Sequence, residues 1–312
     1  MTARHFILTF LVAIFIAPTF ASAQAKAPDE LFKEGNDAFN DGQVDKAIDL
    51  YSKATEKRKD FKEAWYNLGI AFGRKKQFDK EIAAYEKAIE IDGKYTKALY
   101  NLAIAYEDKG SDDKAIEYYE KVVAAEPERG VDARINAGIL YARKGELAKA
   151  IESYKGAIAI DANVADAHFN LGIAYAKQAA KAEDEVEKKR LWGEEVKAYR
   201  EATAKNPSYH KAWYNLAIAY KKFGNVDEEI SAYLKAIGVK KDYPQALFNL
   251  AHAYEEKKDV TKALEYWGKY IASAESVPTE KKYVETAKQR VELLKKQTSA
   301  ASDAPAPAPA PK

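Results

Sequence analysis

The sequence predicts an all-α array of stacked helix hairpins, and three observations predict it. The stretch AWYNLGIAFG at 64–73 recurs as ALYNLAIAYE from 98, ARINAGILYA from 133, AHFNLGIAYA from 167, AWYNLAIAYK from 212 and ALFNLAHAYE from 246. Its asparagines, Asn67, Asn101, Asn136, Asn170, Asn215 and Asn249, lie 34, 35, 34, 45 and 34 residues apart, a fixed period that marks a chain of repeated supersecondary units. Inside one unit Trp65, Leu68, Gly69 and Phe72 fall at i, i+3, i+4 and i+7, the stripe of one helix face.

In chain order, Arg4 precedes an apolar run at 6–20 that closes on Ala21, Ser22 and Ala23, the pattern of an export signal cut after Ala23. Residues 1–23 are therefore expected to be a signal peptide, and the mature chain to be exported and periplasmic. The run is short for a bilayer span, and no later run is long enough, so stable membrane insertion after cleavage is not expected.

Repeats are expected at 28–61, 62–95, 96–129, 131–164, 165–209, 210–243 and 244–277. The first keeps Gly35, Ala47, Tyr51 and Ala54 but has Lys33 where the others have asparagine, as an end repeat does. Each unit continues into a second helix; in the second unit this is FDKEIAAYEKAIEID at 78–92, with Ile82, Tyr85, Ala88 and Ile89 on its apolar stripe. Gly42, Gly110, Gly145 and Gly224 stand between the two helices, where a helix end favours a residue tolerant of positive φ.

One extra residue near Gly130 separates the third and fourth units, and the fifth is 11 residues longer than the rest. The surplus, within 177–195, carries no glycine or proline before Gly193, so both helices of that hairpin are expected to lengthen by about three turns in total, with Trp192 near the fold-back. A capping helix is predicted at 279–296, with Tyr283, Ala287, Val291 and Leu294 on its apolar face. Residues 297–312, ending in APAPAPAPK, are expected to be a disordered Ala/Pro-rich tail of polyproline II type.

On these residues the chain resembles the tetratricopeptide repeat (TPR) family. The features that carry the likeness are the 34-residue period, the start seen in Trp65, Leu68, Gly69 and Phe72, the pair Tyr85 and Ala88, and Pro127 or Pro207 at a repeat end. The likeness runs from 28 to about 296. It implies a right-handed TPR superhelix, an α-α solenoid of about seven repeats, whose first helices line an inner binding wall. Exported TPR-array proteins commonly assist envelope machinery. The resemblance therefore implies a non-catalytic protein–protein interaction scaffold of the cell envelope, holding a partner segment in a concave groove. A structural, self-assembling component of an envelope complex, or a binder of a small ligand or glycan, is the alternative.

Composition narrows the chemistry. There is no cysteine, hence no disulfide, thiolate zinc site or cysteine nucleophile. Past the signal peptide the histidines are His168, His210 and His252, in three different units and without metal-ligand spacing. No glycine-rich phosphate loop or Gly-x-Ser-x-Gly elbow occurs, and the many Asp and Glu residues alternate with Lys as on solvated helix faces. No catalytic residue, metal or cofactor is expected. A formal net charge of +2 gives little pull on nucleic acid, so the expected partner is a protein or peptide segment.

The resemblance places the inner wall at the second, fifth, sixth, ninth, twelfth and thirteenth positions of a unit. The sixth is the repeated asparagine. A row of amides, each with one acceptor and two donors, suits the backbone of an extended peptide, although asparagine is also the commonest family residue there. The fifth position reads Phe32, Tyr66, Tyr100, Ile135, Phe169, Tyr214 and Phe248; its rings would add apolar seats. Ile70, Ile104, Ile139, Ile173 and Ile218 at the ninth either grease the groove or pack between first helices. Arg74, Arg143, Lys177 and Lys222 at the thirteenth give either a positive edge or ordinary surface cations. The carboxylate clamp of chaperone-tail binders is not expected: Asn36, Asn67 and Lys97 match it, but Phe32 and Asn101 replace two of its three cations.

Overall fold

The computed structural model describes residues 26–128 and 130–302, so the expected signal peptide and the tail from 303 lie outside the described residues. Among the described residues there are fifteen α-helices and one 3-10 turn, arranged in two compact bodies that meet in sequence at Gly93 and Lys94. In the first body α1 (Pro28–Asn40) pairs with α2 (Val44–Lys57), and α3 (Lys62–Arg74) with α4 (Phe78–Ile91). The second body holds the hairpins α5 (Thr96–Asp108) with α6 (Asp112–Ala125), α7 (Val131–Arg143) with α8 (Leu147–Ile160), and α9 (Ala165–Lys181) with α10 (Glu185–Lys205). It continues with α11 (His210–Lys221) and α12 (Val226–Val239), then α13 (Pro244–Glu256) and α14 (Val260–Ala274), and ends with the turn Pro278–Glu280 and α15 (Lys281–Ser302).

One closure recurs at the hairpin turns. Gly42, Gly110, Gly145 and Gly224 have φ of 77°, 78°, 81° and 70°, and the residue after each returns its N–H to a carbonyl near the end of the first helix, as Gln43 does to Ala38 and Ser111 to Tyr106. This is the left-handed helix stop that glycine adopts without a Cβ clash. Lys76 (φ 56°) and Lys258 (φ 63°) take the same place in two other hairpins.

Each hairpin closes on an aromatic residue of the second helix. The rings of Tyr51, Tyr85, Tyr154 and Tyr199 lie over Gly35, Gly69, Gly138 and Gly172, leaving no room for a Cβ. That contact explains the glycine of the repeated stretch. Around it small buried alanines, Ala47, Ala54, Ala64 and Ala71 in the first body and Ala212, Ala219, Ala236 and Ala246 in the second, let helix axes approach closely.

The hairpin α9–α10 is the long one, at 17 and 21 residues against 13 and 14 for α7 and α8. Its fold-back lies at 182–184, where the Asp184 carboxylate accepts the Glu187 N–H at 2.8 Å and caps α10. Trp192 is not at that bend. It lies well inside α10 with its ring 6.0 Å from Phe223 in edge-on contact, because the added turns extend α10 ahead of the point where the other hairpins start their second helix.

α15 covers α14, and its apolar face is the expected one except at its start. Val284 (5% exposed), Ala287 and Leu294 are buried and Val291 packs beside them, whereas Tyr283 is 53% exposed with its ring 5.9 Å from Phe248 in edge-on contact. The helix also continues past 296 to Ser302, so the segment 297–302 is helical rather than disordered tail.

Candidate peptide-binding face

The repeated asparagine sits near the middle of each first helix, half-buried, two residues after a buried or half-buried fourth-position side chain. At Asn67, Asn136, Asn215 and Asn249 the amide is tied backwards to the preceding repeat. Asn136 Nδ2 donates to Tyr100 Oη at 3.0 Å and to Tyr119 Oη at 3.3 Å; Asn249 Nδ2 donates to Tyr214 Oη at 3.1 Å. Asn215 bonds the Tyr199 hydroxyl. In the first body Asn67 Nδ2 donates to Asn36 Oδ1 at 2.8 Å, which also accepts from Tyr51 Oη at 2.8 Å. Asn101 and Asn170 are half-buried at the same place in their helices. Held this way, an amide is fixed in orientation and has its donor engaged, and the remaining lone pairs of its oxygen are the group left for a ligand N–H.

The fifth-position rings build a ladder beside the amides. Phe32, Tyr66, Tyr100, Phe169 and Tyr214 each lie within 5.6–5.9 Å of the second-helix tyrosine of their own hairpin. Phe32, Phe169 and Tyr214 also touch the residue that opens the next hairpin, Phe61 at 4.8 Å, Tyr209 at 4.8 Å and Tyr243 at 5.1 Å. Phe248 stands between Trp267 and Tyr270. Phe169 and Ile135 are buried, so these two are packing residues; Tyr66, Tyr100, Tyr214 and Phe248 keep part of their surface. In the first body Asn36, Phe39, Asn40, Tyr51, Asn67 and Ile70 line a cavity of about 300 Å³. Ile173 and Ile218 pack against the core, while Ile139 is 39% exposed.

The thirteenth-position cations differ from one another. Arg143 makes a two-point contact with Asp112 at 2.7 and 2.8 Å and Lys222 grips Glu195, so both are committed within the fold; Arg74 lies 5.8 Å over the Phe39 ring and Lys177 is exposed.

Family models fix what this architecture is. A model described as TPR repeat matches residues 138–178, one described as tetratricopeptide repeat matches 32–96 and 196–244, and a second so described matches 96–129 and 244–275. The chain is a tetratricopeptide repeat protein. Its TPR fold is shared with the C-terminal part of a TPR repeat-containing protein from Cytophaga hutchinsonii (TM-score 0.65, 16% identity, 80% of this chain and 97% of that one). A TPR protein from Parabacteroides merdae is similar at TM-score 0.54 and 16% identity, covering 86% and 98%. YrrB, described as a TPR protein with an unusual peptide-binding site, is similar at TM-score 0.51 and 22% identity, covering 63% and 95%. At these identities the likeness is one of fold. Among curated proteins none matches.

In this TPR protein one class of residue escaped the sequence pattern. Not every acidic residue lies on a solvated face: Glu81, Glu195 and Glu229 are buried, at the second-helix position where other repeats have Ala47, Ala115, Ala150 and Ala263. Burial pushes the Glu195 carboxyl up, against the pull of Lys222, and pushes Glu229 up to about 7, with Lys221 at 3.9 Å opposing. An acidic residue standing where four repeats have alanine was the available signal. Among the described residues no cluster of three metal-ligating side chains occurs, and no helix is long and apolar enough to cross a membrane.

Proposed function

We propose that the protein is an exported, non-catalytic scaffold of the cell envelope that holds an extended partner segment along its first-helix face. The leader at 1–23 would direct export with cleavage after Ala23, and the repeats from 28 to 277 with their capping helix would form the working part in the periplasm. The observation that carries this reading is the backward tie of the asparagine amide, seen where Asn136 donates to Tyr100 and Tyr119. An amide clamped by its own scaffold presents its oxygen in a fixed direction, and a pre-oriented acceptor loses little freedom when it receives a backbone N–H.

Partner side chains would then be read by the exposed parts of Tyr66, Tyr100, Tyr214 and Phe248, and by Lys177 and Arg74, with each repeat adding a small increment. The test is crosslinking of tagged protein in its own envelope, comparing wild type with Asn101/Asn136/Asn170→Ala and identifying attached chains by mass spectrometry. Loss of specific partners in the variant supports the reading. Retention of all of them, or recovery of the protein only from the cytoplasmic fraction, overturns it.

A further inference from the structure

The fourth repeat departs from the others at two linked places, on the side of α7 away from Asn136. Arg134 occupies the slot that holds Leu31, Trp65, Leu99, His168, Trp213 and Leu247 elsewhere, and it is two residues, about 200° of helix rotation, from Asn136. Gly156 in α8 replaces the lysine found as Lys53, Lys87, Lys121, Lys235 and Lys269 in five other repeats. The two changes meet: a Cβ at Gly156 would lie 2.7 Å from Arg134 Nη1 and 3.2 Å from its Cζ, so the guanidinium rests in the space the missing side chain leaves.

That guanidinium lines a cavity of about 460 Å³ together with Glu120, Val123, Tyr141, Glu152 and Ser153. Two counterpart hollows, of about 380 and 320 Å³, have Trp65 and Trp213 in the wall, each indole held by a backbone carbonyl, Lys59 at 3.0 Å and Pro207 at 2.9 Å. In the fourth repeat the wall is ionic and its charges are unevenly used. Glu120 accepts from the Tyr141 hydroxyl, and Lys149 is paired with Glu146 at 2.7 Å. Arg134 makes no ion pair among the described residues, and its buried Nε has no hydrogen-bond partner. Glu152, exposed on the same wall, is likewise without an ion pair among them.

An apolar slot given to an unpaired cation, and a helix interior given to glycine, are two losses of stability at one point. Both are accounted for by a ligand that completes the charges. We infer that this cavity is a binding site for a small zwitterion of free amino-acid type, its carboxylate on the Arg134 guanidinium and its ammonium on Glu152. The size falls within the range of small-molecule pockets, and guanidinium pairs carboxylate by two parallel N–H donors. The site is separate from the proposed peptide face and does not depend on it.

Calorimetric or NMR titration of the mature protein with glycine, L-alanine, L-glutamate and L-lysine tests this, with acetate and methylammonium as single-charge probes. One-to-one binding of at least one amino acid at a Kd of about 1 mM or tighter is expected, at least tenfold tighter than acetate. Arg134→Leu, which restores the residue of three other repeats, and Gly156→Lys, which refills the cradle, should each weaken it at least tenfold. Glu152→Gln should bring amino-acid binding down to that of acetate. No one-to-one binding of any of the four, unchanged binding in both Arg134→Leu and Gly156→Lys, or acetate binding as tightly as the amino acids overturns the assignment.

Discussion

Lys222 Nζ reaches both carboxylate oxygens of Glu195, at 2.7 and 2.6 Å, and Glu195 is 2% exposed. The pair joins the second helix of the long hairpin to the residue that caps the first helix of the next. Removing one partner of a buried pair leaves the other without compensation, whereas removing both restores an ordinary packed site. Lys222→Met is therefore expected to lower stability by about 3 kcal/mol at pH 8 in urea unfolding, and Glu195→Ala/Lys222→Met to recover most of that loss. The Lys222→Met penalty should shrink toward pH 5, as Glu195 takes up a proton.

Glu229 gives a pH dependence of definite sign. Its folded-state pKa, raised to about 7 by burial, lies above that of the unfolded chain, so the native state binds the extra proton between about pH 4.5 and 7. Stability from this group is full below that window and is lost as pH rises through it, on the order of 3 kcal/mol. Lys221 and Glu256 are the charged groups acting on it. Urea midpoints measured from pH 5 to 8 should fall for wild type and stay flatter for Glu229→Ala, which should be the more stable protein at pH 8.

Lys76 and Lys258 adopt the left-handed conformation that four other turns give to glycine. Lys76→Gly and Lys258→Gly should each raise stability by about 0.5–1 kcal/mol, since a Cβ in this region is strained by more than glycine loses in unfolded-state entropy. Thermal unfolding of the single and double variants checks this, and additive gains are expected because the sites are far apart in sequence and share no partner.

The rotation of α15 separates two neighbouring residues. Val284→Ser should cost about 1–2 kcal/mol because it removes apolar surface buried against the end of the stack, while Tyr283→Ser, which loses one edge-on contact with Phe248, should cost less, about 0.5–1 kcal/mol. Equal losses at both positions would place the helix in a different register on α14.

Much of this was legible in the sequence because a repeated unit states its pattern many times. The helix stripe of Trp65, Leu68 and Phe72 and the turn glycines Gly42, Gly110, Gly145 and Gly224 recur in phase, and helices and turns form where they lie. What was hidden depends on a partner far along the chain. Nothing near Asn136 says that its amide bonds Tyr119, and nothing near Glu195 says that Lys222 arrives to cover it. At the start of α15 the buried residue is Val284 rather than its neighbour Tyr283, because either side chain fits an apolar stripe that continues to Ala287 and the sequence does not tell which one meets the stack. Trp192 was misplaced for a similar reason: the surplus residues divide unequally between α9 and α10, and the charged stretch carries no mark for the bend at 182–184.

The backward ties also bear on how such a chain can change length. Phe169 meets Tyr209 as Tyr214 meets Tyr243, and Asn215 leans on Tyr199 as Asn249 leans on Tyr233. Deleting 210–243 would bring Pro244 after Tyr209, where His210 now stands, and set Asn249 in the place of Asn215 beside Tyr199, so the ring and amide contacts find like replacements, whereas buried Glu195 would meet Glu256 where Lys222 now pairs with it. A copy lost or gained by recombination would thus be tolerated at joints made of rings and amides alone, while the buried ion pair makes the fifth repeat particular about which repeat follows it.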